Sequence, residues 1–547
     1  MNKICLSILF AISTLSASYA GVQELATSDL KSRLITELKQ DNVSALEKMI
    51  GNEDQQIPLN GQHGAVPLVL AAQHKARKLL HWLLQHGANV DALSASGSTA
   101  LSMAAYFGHV GIIEALVAAN AKLGLKSPNG YQALDWALDN QRIEAVEALI
   151  LAWGLRESKF EQEKKILLAI SANQMQADAV SDFQAGFSSF PLVLAIVKDN
   201  TALVESLLNH GYDPNQRNAA GYAALPTAAR LGNPRIVSAL LAHKANPNIG
   251  GSKGDDVAGA LNQAMRGQRY EAAQLLIEAG AQVNKGNAIG ITPLYICAVA
   301  DTKTGDLTRL LLKHKADIGQ KSDDGYNTLD VAMENRNRLY MRIAMRHMLE
   351  QSMSEEKKKA ILVKFLDGKS TALPPLSSES SSLLLNLSIL NGDTKLFKRL
   401  MATNINPNSP NRSGHYPLSI AASWSELDML ALLLKGASDV NQHNRNRYLT
   451  TPLMESTRDG QVEIAKLLLS HGAKVNLLDL HKDNALNWSV FFGRAPMVQL
   501  LLENMADTSQ VGQQTNDNAM DIALRQGVPD VIALLQKAGA KSSKLPK

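Results

Sequence analysis

Five histidines, His86, His210, His243, His314 and His471, recur in one slot, just before the Gly or Lys that ends a predicted helix. An imidazole ladder is the pattern in this chain that comes nearest to metal chemistry. Elements stacked at ~8–10 Å cannot bring two ring nitrogens to ~2.0–2.1 Å from one zinc ion. Each histidine is better read as facing the negative end of its own helix dipole. His109, in Gly108-His109, sits at an ordinary repeat position. Cys297 replaces the first residue of an alanine pair and reads as a small buried hydrophobe rather than a nucleophile. Asp367-Gly368-Lys369-Ser370-Thr371 hints at a phosphate loop, but the required upstream glycine is Val363 and no strand precedes it. There is no G-x-S-x-G, no H-E-x-x-H and no paired-cysteine spacing, and the carboxylates are scattered. No catalytic residue, metal or cofactor is expected.

The elements that carry these residues follow from length and pattern. With 547 residues, 45% of them hydrophobic and 19% charged, the chain can build a large core. It exceeds the roughly 250–300 residues that one core supports, so it divides into domains or grows as a repeat array. The net charge of +4 is spread along the sequence, which disfavours a dedicated nucleic-acid binder. Met1-Asn2-Lys3, the apolar run Ile4 to Leu15 and the small residues Ser18 and Ala20 form a secretory signal with cleavage before Gly21. The run is too short to span a bilayer, and no later segment is long and apolar enough. The product is expected in the periplasm or outside the cell. It would retain one cysteine, Cys297, and form no internal disulfide.

Self-similarity dominates what remains. Residues 97–123, 290–318 and 450–476 each run from a polar turn through a Thr/Ala/Pro-Leu step into a short Ala-rich helix. A turn and a second helix with a Leu-Leu ending follow, with Gly-Ala-x-x-Asn or a close variant after it. The leucine of the step recurs at Leu34, Leu68, Leu101 and Leu134; at Leu192, Leu225, Leu261, Leu294 and Leu329; and at Leu385, Leu418, Leu453 and Leu486, with Met520 in the last copy. Spacings within each series are 33 to 36 residues. This pattern resembles the ankyrin repeat, over nearly the whole mature chain. The resemblance implies an all-α solenoid of about fourteen helix-turn-helix repeats that presents its inner helices and finger tips to a protein partner. The family's usual histidine after the anchor leucine is missing, with Val69, Ser102, Asp135 and Val193 in its place, so polar bonding between repeats should be weaker.

A longer period divides the array. GYQALDWALDNQR (130–142) and GYNTLDVAMENRN (325–337) match, and NAMDIALRQG (518–527) echoes them. The expected order is a signal at 1–20, a first block at 21–155 and a helical joint at 156–185. A second block at 186–349, a helical joint with a Ser/Pro-rich hinge at 350–382, a third block at 383–541 and a tail at 542–547 follow. The candidate partner contacts are finger residues. His415, Tyr416 and Arg412 lie in one finger and Arg445, Arg447 and Tyr448 in the next, with Tyr131, Tyr222 and Tyr326 in equivalent slots. No acidic residue lies between Asp439 and Glu455, so the partner is expected to present an acidic patch. The function expected is that of an exported binding scaffold without enzymatic activity. A periplasmic inhibitor or immunity-type protein, or a secreted effector, is the alternative.

Overall fold

A computed structural model describes residues 36–37, 40–41, 43–44 and 67–544, except 95, 129, 181–186, 251–258, 288, 301, 353–375, 404, 412–413, 437 and 446–447. The expected leader, the Leu34 anchor and the 367–371 segment therefore lie outside the described residues. The chain divides into two compact units, one of residues 1–296 with 313–316 and the other of 297–312 with 317–547. Both are built of short helices. Among the described residues the β-pairing is limited to one antiparallel bridge, Gly250 to Gly259. The expected all-α ankyrin solenoid is the fold observed.

The repeat at 97–123 shows how the sequence makes the unit. Thr99 caps the helix Ala100–Phe107: its Oγ1 accepts from the Ser102 amide at 3.0 Å, while Ser102 Oγ accepts from the Thr99 amide at 2.9 Å. Gly108 ends the helix in the left-handed region, at φ 78°, and a Cβ there would strike the Arg142 side chain of the next repeat. The second helix, Val110–Ala118, then runs back along the first. Helices of seven to nine residues are not stable alone. Their anchor residues, from Leu68 to Met520, are all buried, as are the alanine pairs, which let successive first helices approach closely.

Polar bonding between repeats is present, in slots other than the missing histidine. Asn248 Oδ1 accepts the Gln282 amide at 2.7 Å and its Nδ2 donates to the Gly280 carbonyl, one repeat on. Asn215, Asn441 and Asn476 do the same. The asparagine of this slot, which closes Gly-Ala-x-x-Asn at Asn476, is thus a tie between fingers. Arg142 and Arg494 add bonds to the carbonyls of Tyr106 and Arg458 in the preceding repeats.

Irregular helices separate the blocks. In the first unit Ile143–Glu157 is followed by Glu161–Ser171, and both pack on Phe190–Val197. Gly154 permits that approach, since a Cβ there would lie 2.8 Å from Leu167 Cδ1. The buried carboxylate of Glu163 accepts from the Ser158 and Ser188 hydroxyls and the Ser188 amide. In the second unit Arg338–Gln351 packs on Ser378–Asn391. The hinge expected to reach Ser382 is corrected here: Ser377 caps the helix, and Ser380, Ser381 and Ser382 are buried in it. Serine is small enough for close helix packing, and the Ser380 hydroxyl is satisfied by Ser352 Oγ at 2.8 Å. The rest of the expected joint, residues 353–375, lies outside the described residues.

Candidate protein-binding surface

Within each unit, the last repeat of one block seats on the inner helices of the block that follows. The seat is built on one aspartate. Asp135 and Asp330 are the third residues of the helices Ala133–Asp139 and Thr328–Glu334, where one carboxylate oxygen accepts the amide that starts the helix. The other oxygen faces the following block. Asp135 Oδ1 accepts the Tyr222 hydroxyl at 2.5 Å, and Asp330 Oδ1 lies 3.7 Å from His415 Nε2. Burial pushes both carboxyls above their ordinary range, against the pull of Tyr222 on one and of His415 on the other.

Charges complete each seat. Asp139 pairs with Arg230 and, at 2.7 Å, with Arg266. At the second seat Arg336 pairs with Asp459 at 2.5 Å and Arg338 with Glu426 at 3.0 Å. Both guanidinium groups lie over the Trp424 ring, whose Nε1 donates to Met333 Sδ at 3.3 Å.

These contacts settle where the expected finger residues stand. Tyr222 and His415 are buried in the seats, and Tyr416 is buried beside His415 with its amide donating to Asn444 Oδ1, so none offers surface, which corrects their assignment as partner contacts. The cause is that the end repeats occupy the inner face their fingers border. Tyr131 is half-buried, bonded to Arg266 and under its guanidinium. Tyr326 packs edge-on against Tyr448, with ring centroids 5.9 Å apart. Tyr448 is half-buried, against His481 and Trp488. Arg445 is exposed and holds its finger to the one before through its amide, which donates to the Gly414 carbonyl at 2.7 Å. Arg412 and Arg447 lie outside the described residues.

Beyond the second seat the inner face of the third block turns apolar and open. Phe491 is 56% exposed and Leu480 50%. Trp488 and Phe492 stand with Phe491 on the same inner helix and its end, with Arg458 5.7 Å over the Trp488 and Phe492 rings. Trp488 is held in place by Nε1 donating to Asp479 Oδ2 at 2.9 Å. Leu480 is tied to the preceding finger by its amide, which donates to the Tyr448 carbonyl. The third block therefore carries an inner-helix cluster of three rings, Trp488, Phe491 and Phe492, in the repeat whose finger exposes Leu480. The sequence signal that marks it is the Phe491-Phe492 doublet, five and six residues after Leu486, where Tyr106-Phe107 stand after Leu101.

The recurring histidines behave as helix ends. Nδ1 of His86, His210 and His471 lies 2.7–2.9 Å from the carbonyl four residues earlier. Among the described residues no group of His, Cys, Asp and Glu could hold a metal ion. Cys297 is buried, and burial pushes its thiol up to about 12. No helix among the described residues is long and apolar enough to cross a membrane.

Comparison with known proteins agrees with this architecture. The family model for ankyrin repeats (3 copies) matches residues 42–158, 164–251, 192–287 and 385–479, more than half of the chain. Over 144 residues the chain is 33% identical to the nuclear factor NF-kappa-B p105 subunit of Gallus gallus, 26% of this chain and 14% of that protein. Over 463 residues it is 22% identical to transient receptor potential cation channel subfamily A member 1 of Homo sapiens, 73% of this chain and 40% of that protein. It is 23% identical over 385 residues to the ankyrin repeat domain-containing protein SAT10 of Stachybotrys chartarum, 64% of this chain and 19% of that protein. The chain thus spans well under half the length of these relatives. With its anchor leucines, alanine pairs and asparagine ties in ankyrin register, the chain belongs to the ankyrin-repeat family.

Proposed function

We propose that the chain is an exported scaffold that holds another protein against the inner helices and finger tips of its third block. The observation that carries this reading is the ring cluster of Trp488, Phe491 and Phe492, with Phe491 56% exposed, in the repeat whose finger leaves Leu480 50% exposed. Large apolar side chains left exposed together mark interaction sites, and ankyrin repeats generally mediate protein–protein contact. The rings are rigid, so they bury area on binding at small entropic cost. The leader at residues 1–20 supports export, with the periplasm or the exterior as the destination.

The test is affinity capture from the periplasmic fraction, comparing the native chain with a Leu480→Asp/Phe491→Asp double variant. Both side chains are half-exposed, so the variant should fold. It should lose at least ~10-fold in capture, because a carboxylate would enter the apolar contact. A folded variant that captures its partner undiminished overturns the site. A product that keeps Met1 and stays in the cytoplasm overturns the export.

A further inference from the structure

Two arginines share one slot of the repeat. Arg266 and Arg458 each lie five residues after an anchor leucine, Leu261 or Leu453, in the third repeat of the second and third blocks. Arg266 lies over the Tyr131 ring, 5.5 Å from its centroid, and its Nη2 donates to Asp139 Oδ2 at 2.7 Å. That carboxylate is brought in by the seated end repeat. Arg458 has the rings without the carboxylate. Its guanidinium lies over Trp488 and Phe492, makes no ion pair among the described residues, and its Nε finds no hydrogen-bond partner.

The second seat has its charges reversed, which accounts for the difference. There the end repeat contributes the arginines, Arg336 and Arg338, and the third block the carboxylates, Asp459 and Glu426. Other carboxylates near Arg458 are committed: Glu455 accepts the Thr450 hydroxyl at 2.6 Å, and Asp479 accepts Trp488 Nε1 at 2.9 Å. Arg458 is thus a half-buried cation stacked on rigid rings, to which its own block pairs no anion. Phe492 joins it to the exposed apolar surface, since its centroid is 5.2 Å from that of Phe491.

We propose, resting on the reading of this surface as a protein contact, that Arg458 receives a carboxylate from the partner. The partner then presents an aspartate or glutamate next to a large apolar side chain, the carboxylate on the Arg458 guanidinium and the apolar group on Phe491. A stacked guanidinium is already oriented, so it loses little freedom on pairing, and its charge-assisted bonds are stronger than neutral ones. The surface calls for one anion. A nucleic-acid strand also stacks on rings, but it would carry successive phosphates past Asp459 and Asp479, which repel them.

The probe is a random-peptide phage library selected on the purified full chain, followed by titration of the best synthetic peptide. Selected peptides should carry Asp or Glu beside Phe, Trp, Leu or Met, and should lose binding to the Leu480→Asp/Phe491→Asp chain. Replacing the acid by its amide should weaken binding to the native chain at least ~10-fold. The same replacement should cost less than about twofold on Arg458→Met, which keeps side-chain bulk over the rings. Arg458→Lys, which keeps the charge without the planar fork, should show an intermediate effect and carries the test if Arg458→Met does not fold. Apolar peptides without an acid, or an amide effect as large in a folded Arg458 variant as in the native chain, overturn the role of Arg458 and leave the surface as a protein contact. Peptides that bind the Leu480→Asp/Phe491→Asp chain undiminished, or a library that yields no binder, overturn the surface and Arg458 with it. Displacement of the peptide by oligothymidylate at lower concentration than by free peptide overturns the choice of a protein partner.

Discussion

Removing the Asp139 carboxylate should open the first seat selectively. Asp139 stands between Arg230, which is 7% exposed, and Arg266, about a quarter exposed. In Asp139→Ala, Arg230 keeps its bond to Gln263 Oε1 at 2.7 Å and the pull of Asp135 but loses the carboxylate paired with it inside the joint. Stranding a buried charge costs ~3–5 kcal/mol. The surviving hydrogen bond and the access of Arg266 to water place this case at the lower end, about 3 kcal/mol. At about 1.4 kcal/mol per tenfold, the opening constant of the seat rises ~100-fold. Native-state hydrogen exchange of Ala133–Asp139 and Ala224–Leu231 reads this directly, with Pro417–Ser423 as the unaffected reference. Adding Arg230→Met removes the stranded charge and should recover most of the loss, since an apolar side chain replaces a buried ion at little cost. Unchanged exchange in the single variant, or no recovery in the double, would refute the assignment of the seat to this ion cluster.

Two further outcomes follow from packing and burial. Gly154→Ala gains about 1 kcal/mol of helix propensity but drives a Cβ to 2.8 Å from Leu167 and 3.3 Å from Phe190, an overpacking cost of ~1–3 kcal/mol; the melting temperature should fall, and a rise would contradict the packing of the first joint. Cys297, its thiol raised to about 12 by burial, holds almost no thiolate at pH 8; iodoacetamide should leave it unmodified in the native chain and alkylate it promptly in denaturant.

The repeat architecture was legible in the residues because each determinant is local or recurs at a fixed interval. An anchor such as Leu225, the Ala228-Ala229 pair and the turn glycine Gly232 specify one helix-turn-helix unit. Burying its apolar face requires only an identical neighbour, so periodicity alone implies the stack. The asparagine that closes Gly-Ala-x-x-Asn at Asn476 was visible as a register mark, although its role as a tie appears only in the structure, where it accepts the Asp507 amide of the next finger.

The seats were beyond such reading. Tyr222 and Asp135 are 87 positions apart, and His415 and Asp330 85. Nothing in a 33-residue period states which block folds onto which. As finger residues of binding type they looked available to a partner; the chain's own end repeats buried them. Ser377 to Ser382 failed for a related reason. Serine runs read as loop because their hydroxyls favour turns, yet small side chains with local partners fit a tight helix interface. The sequence by itself thus determined the repeating unit and its stacking, which depend on contacts one repeat away. Only the tertiary structure decided which inner face is covered and which, at Leu480 and Phe491, stays open, because that depends on where the chain returns upon itself.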